Sequence, residues 1–104
     1  MNNSDKKILN IGRYKIELTL PDRTKDLSFS HPDNITAFDN NGLILWNISD
    51  LLKKYSEKNG LQYYSDMYFD IRLLENQNVF CVGFINHCEI ELETDSIIKI
   101  INNR

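Results

Sequence analysis

The sequence predicts an α+β fold: mainly an antiparallel β meander of about six strands, with one helix at about residues 49–59 packed on the sheet. Short segments of alternating apolar and polar residues recur along the chain, and one segment repeats its apolar residues at helical spacing. The connections between the alternating segments are only a few residues long, and connections this short require antiparallel neighbours. Residues 1–104 read as a single domain, with residues 1–7 expected to be disordered.

Residues 13–20, RYKIELTL, give the first strand. Tyr14, Ile16, Leu18 and Leu20 fall on one face and Lys15, Glu17 and Thr19 on the other, until Pro21-Asp22 stops it. Residues 22–33 are polar and contain His31-Pro32, so they read mostly as loop around the short apolar piece Leu27 to Phe29. Two apolar segments, 35–38 and 43–48, then flank Asp39-Asn40-Asn41-Gly42. Asn and Gly tolerate positive φ, so this tetrapeptide is a hairpin turn.

In the helix, Ile48, Leu51, Leu52 and Tyr55 share one apolar face. Ser49 is the expected N-cap, and Asp50 sits at the positive end of the helix dipole. Lys53, Lys54 and Lys58 favour the other end, and Gly60 can supply a left-handed cap. A helix of about three turns does not hold alone, so it must lie on the sheet. Trp46 is expected against its apolar face.

The second half reads as strands. Residues 67–74, MYFDIRLL, place Met67, Phe69, Ile71 and Leu73 inward and Tyr68, Asp70 and Arg72 outward. Glu75-Asn76-Gln77-Asn78 turns the chain into NVFCVGFI (78–85), the most apolar and therefore central strand. Asn86-His87 turns again into CEIELE (88–93), and Thr94-Asp95-Ser96 leads to IIKII (97–101).

Composition narrows the functional classes. With 41% hydrophobic and 26% charged residues, 4 Gly and 2 Pro, the chain is neither collagen-like, low-complexity nor disordered. Its longest apolar run, Val79 to Ile85, falls far short of the roughly 20 residues of a membrane span. The start, MNNSDKKILNIG, lacks the apolar region of a secretory signal. With two cysteines, the expected location is the reducing cytoplasm, with both as free thiols.

Charge is uneven. Residues 1–31 carry six basic groups against four acids, whereas residues 66–98 carry seven acids against Arg72 alone. An acidic surface repels nucleic acid and steers basic partners toward itself, so no nucleic acid is expected to bind.

Cys81, His87, Cys88 and His31 are the soft metal ligands, but their spacing does not make the close pairs of a structural zinc site, so no metal is expected. Cys81 sits mid-strand among Phe80, Val82 and Phe84, where burial would raise its pKa rather than activate it as a nucleophile. Glu89, Glu91 and Glu93 alternate with apolar residues and are expected to point to solvent together. They are either a solvated, charge-protected edge or a recognition surface for a basic cleft. Tyr63, Tyr64, Tyr68 and Phe69 cluster, and Tyr64 and Tyr68 beside Asp70 are either the rim of a sheet or anchors at an interface. No catalytic constellation and no phosphate-cradling loop emerges, so no enzyme activity, cofactor or small-molecule substrate is expected.

A strand ending AFDNNG, then LILWNI, a YFDIR strand, an apolar strand and a closing CEIELETDSIIK together resemble small bacterial immunity proteins, over roughly residues 33–100. These are cytoplasmic inhibitors encoded beside contact-dependent or other polymorphic toxins. Asp95-Ser96 departs from the Thr-Gly that such proteins often carry at the last turn. The resemblance implies a protein that binds and neutralises one cognate toxin domain, expected to be a basic nuclease and taken as a ribonuclease. Tyr64, Tyr68, Asp70, Glu89, Glu91 and Glu93 are the expected contact residues. The alternative is a structural or scaffolding β-domain that binds a protein without inhibiting it.

Overall fold

The structure, a computed structural model, describes residues 6–20 and 32–102. Among these residues eight antiparallel strands form two four-stranded sheets, with one helix between them in sequence. The first sheet runs β1 (Lys6–Ile11), β2 (Tyr14–Thr19), β3 (Ile35–Phe38), β4 (Ile44–Asn47), in chain order. Helix α1 (Ile48–Lys58) follows. The second sheet runs β5 (Tyr68–Leu73), β6 (Val79–Gly83), β7 (Asn86–Glu91), β8 (Ser96–Asn102), again in chain order.

The α+β class, the antiparallel pairing and the single helix match the sequence reading. The expected meander of about six strands is roughly consistent with the structure but coarser, since the structure has eight strands. The helix divides it into two sheets, and β1 takes in Lys6 and Lys7, which were assigned to a disordered start. Residues 1–5 and the loop around Leu27 to Phe29 lie outside the described residues.

One core joins both sheets and the helix. Ile16 and Leu18 of β2, Ile35 and Ala37 of β3, and Trp46 of β4 meet Ile71, Val79, Cys81, Cys88 and Ile90 of the second sheet, with Ile48, Leu51 and Leu52 of α1 closing the side. Removing this much apolar surface from water is the main stabilising contribution. β5 runs beside β1 and β2, and α1 lies against β4 and β8.

The helix starts one residue earlier than expected. Its N-cap is Asn47, not Ser49: Asn47 Oδ1 accepts the Ser49 amide at 2.9 Å, and Asp50 Oδ2 accepts the Asn47 amide at 3.1 Å. This reciprocal box satisfies two of the free amides of the first turn. Asn47 Nδ2 also donates to Ile35 O of the neighbouring strand at 3.1 Å, so one side chain joins sheet and helix. At the far end Gly60 takes a positive φ of 66° and donates to Glu57 O.

The strict alternation expected over residues 67–74 is broken. A β-bulge between Tyr68 and Asp70 inserts one residue into β5. Tyr68 therefore turns into the core, at 2% exposed, and Phe69 turns out, at 41%. Leu73 also remains exposed. Asn86-His87, expected as a turn, belongs to β7; the chain reverses one step earlier, at Phe84-Ile85.

The acidic hairpin end as candidate functional site

In each sheet the first strand pairs with the second and the third with the fourth, so alternate turns share an end. Two hydrogen bonds bring these ends together across the molecule. The Tyr14 hydroxyl, just after the β1–β2 turn, donates to Leu92 O in the β7–β8 turn at 3.0 Å. The Trp46 indole N–H of β4 donates to Asp95 Oδ1 of that turn at 3.1 Å. Two shallow clefts lie in the same region. One, of about 560 Å³, runs between Gly12–Tyr14, Asn76–Asn78 and Glu91–Glu93. The other, of about 370 Å³, is lined by Arg13, Tyr14, Asp39–Asn41, Leu45 and Asp95. The β1–β2, β3–β4, β5–β6 and β7–β8 turns thus gather at one end of the molecule.

This end is acidic. Its turns and the last residue of β7 hold Asp39, Glu75, Glu91, Glu93 and Asp95 against the single base Arg13. Local bonds fix several of the carboxylates. Asp39 Oδ1 accepts the amides of Asn41 at 2.8 Å and Leu43 at 3.0 Å, which shapes the β3–β4 turn. Glu91 Oε1 accepts the Thr94 hydroxyl at 2.8 Å. Glu75 and Glu93 stand exposed. Beside them Leu43, Ile44 and Leu45 form an exposed apolar margin, Ile44 at 67%. Convergent carboxylates with an apolar margin favour contact with a basic, partly apolar surface.

Of the six residues expected at the site, Glu91 and Glu93 meet at this end. Tyr64, Tyr68 and Asp70 are elsewhere, and Glu89 is bound inward to residues of the β5–β6 turn. Glu89, expected in solvent beside Glu91 and Glu93, is only 8% exposed. Its Oε2 accepts Asn78 Nδ2 at 2.7 Å and Asn76 Nδ2 at 3.2 Å. The Asn78 bond, working against burial and helped by Asn76 and the charge of Lys99, lowers its carboxyl below the ordinary value.

Asp70 faces the first sheet. It accepts Lys7 Nζ at 2.6 Å and Arg72 Nε at 2.8 Å, and the Lys7 bond in particular lowers its pKa. Tyr68, expected as an outward anchor, is a core residue whose hydroxyl pKa burial pushes up. Tyr64 is 64% exposed but lies at the opposite end of the molecule, on the rim of a cleft lined also by Leu61, Ile85 and Asn102.

Asp39, Glu75 and Asp95 were missed as members of the site. The signal that finds them is topological: successive short hairpins of a meander place alternate turns at one end. Cys81 and Cys88 are buried, free thiols. Among the described residues no group of three or more His, Cys, Asp or Glu is placed to hold a metal ion, and no helix is long and apolar enough to cross a membrane. Comparison with protein-family models, with curated proteins and with solved structures yields no match.

Proposed function

We propose that this chain is an immunity protein: it binds one bacterial toxin domain in the cytoplasm and blocks it by occupancy, without turnover. The observation that carries this reading is the collection of five carboxylates from three different turns at one end, opposed there by Arg13 alone. The toxin of this reading is a nuclease, taken as a ribonuclease. A nuclease must hold a polyanionic backbone, so its cleft is basic, and an acidic surface competes with the substrate for it. Opposite fields would also speed the encounter, which matters when a toxin must be caught before it acts.

The chain's own fold supplies rigidity. Turns joined by short strands and pinned by Trp46 and Tyr14 lose little freedom on binding, so more of the interaction appears as affinity. A second reading, a scaffolding domain that binds without inhibiting, is favoured by the apolar edge Leu43–Leu45, which offers contact to a partner that has no basic cleft.

The test is capture of the partner from native lysate on the immobilised chain, followed by expression of the captured domain in growing cells. Growth arrest by that domain, relieved by co-expression of the chain, supports immunity. A captured protein that is harmless on its own supports scaffolding and removes the immunity reading.

A further inference from the structure

Cys81 of β6 and Cys88 of β7 are direct partners in the antiparallel register, and both are buried. Directly opposed residues in such a ladder have Cα atoms about 4.5–5.5 Å apart. That lies within the roughly 4.4–6.8 Å that a disulfide spans, so bridging them asks for side-chain rotation and no strand movement. A second feature distinguishes the two, which are 0% and 1% exposed. A cleft of about 410 Å³ at the end opposite the acidic turns, with Tyr64 on its rim and Leu61, Ile85 and Asn102 in its wall, has Cys88 in its lining; Cys81 is not in that lining.

We infer that Cys81 and Cys88 form a cross-strand dithiol, open to modification through this cleft, that a low-molecular-weight disulfide converts to a protein disulfide. Cys88 acts first. Its thiol loses a proton, the thiolate attacks one sulfur of the incoming disulfide, and the other sulfur leaves as a thiolate that takes up the proton. Cys81 then attacks the Cys88 sulfur of the mixed disulfide and expels the second small thiolate, which takes the Cys81 proton. Two protein thiols are oxidised, and one small disulfide is reduced to two thiols. In the free dithiol the neighbouring Cys88 and burial both push the Cys81 thiol up, so Cys81 is a poor first nucleophile, and once Cys88 is capped burial still opposes its ionisation in the ring-closing step. The closed loop is short, so the bond restricts the unfolded chain less than a long-range disulfide would, and its state is set by its potential against the surrounding redox poise.

The experiment treats the native full chain with 2-hydroxyethyl disulfide and follows intact mass. Expected is a transient single adduct, then a species lighter than the starting protein by two hydrogens. Cys81→Ser stops at the adduct, and Cys88→Ser does not react; Cys88→Ala replaces it if serine in the core unfolds the sheet. Tyr64→Ala, at the exposed rim, opens the cleft and speeds adduct formation with an unchanged urea midpoint. The inference is overturned if modification proceeds at the rate of global unfolding, if the two cysteines react alike, or if the adduct never resolves in the wild type.

Discussion

Asn34 and Tyr68 hold the two sheets together through a reciprocal pair of hydrogen bonds. Asn34 Nδ2 donates to Tyr68 O at 2.9 Å, and Asn34 Oδ1 accepts from the Tyr68 amide at 2.8 Å. The same Nδ2 donates to Thr19 O at 2.7 Å, and Thr19 N donates back to Asn34 O at 3.0 Å. A single side-chain amide thereby joins the end of β2 to the bulged start of β5. Because Tyr68 is anchored here by its backbone, its ring is committed to the core and withdrawn from any surface. The bulge that overturns the simple alternation is thus a constructed feature, with its own support.

Asn34→Leu keeps approximate volume and removes both arms of this bridge. The Tyr68 amide and the carbonyls of Tyr68 and Thr19 lose a partner, at about 1–3 kcal/mol for each group left unsatisfied in the interior. A total loss of at least about 3 kcal/mol is expected, read as a lower urea midpoint with an unchanged slope. Asn34→Asp keeps the acceptor for the Tyr68 amide but sets a carboxylate oxygen against the Thr19 and Tyr68 carbonyls, and should lose as much or more. Equal midpoints for wild type and Asn34→Leu would mean that the bridge contributes nothing to stability.

Trp46 is buried, and its indole N–H reaches Asp95 in the last turn. Trp46→Ala should destabilise by about 3–5 kcal/mol, the range for removal of a large buried aromatic. Trp46→Phe should lose less, because it keeps most of the apolar contact and gives up only the bond to Asp95. A loss below about 1 kcal/mol for Trp46→Ala would place the ring outside the core. Being the chain's only tryptophan, it also reports directly: its emission should be blue-shifted in the native state and move to the red in urea.

The β3–β4 hairpin was readable in the sequence because Asp39-Asn40-Asn41-Gly42 has turn chemistry that few other conformations use, and α1 because Ile48, Leu51, Leu52 and Tyr55 keep one spacing. β1 was not. In KKILNI only Leu9 and Ile11 pack against the core and Ile8 is exposed, so an edge strand with two lysines looks like a polar leader. Tyr68 and Glu89 were misplaced for a different reason. Period-two alternation assumes an unbroken ladder, whereas the bulge at Tyr68/Asp70 shifts β5, and burial of Glu89 depends on Asn76 and Asn78 from another strand's turn. Partners distant in sequence leave no periodic signal.

Glu89 supplies a prediction about pH. Its folded carboxyl titrates below the ordinary value, chiefly because Asn78 donates to the ionised form. A group with a depressed folded pKa contributes stability above its unfolded pKa, and that contribution is lost as pH falls through the folded value. Glu89→Gln should therefore be less stable than wild type at neutral pH, and the gap should narrow on acidification and close below the folded pKa. Urea midpoints of both proteins across an acid series measure it. A gap that stays constant with pH would show that ionisation of Glu89 has no part in it.

The acidic hairpin end is tested by replacing Glu75, Glu91 and Glu93 together with Gln. Glu75 and Glu93 are exposed, and Gln at Glu91 keeps an oxygen for the Thr94 hydroxyl, so the fold should be almost unaffected. Glu89 is left alone, since its carboxylate is bound internally and changing it would mix stability with recognition. Three of the five carboxylates at this end are then neutral, and the field that guides a basic partner is weakened. Association should slow by about tenfold at low salt, the lower end of electrostatic steering, with a much smaller change in the dissociation rate. Added salt should slow the wild type more than the variant, because it screens a field that the variant has already lost. If rates and salt slopes agree for the two proteins, the carboxylates do not steer the encounter. In that event Ile44, exposed on the adjoining edge of β4, becomes the residue to change next, and Ile44→Ser should raise the dissociation rate with little effect on association.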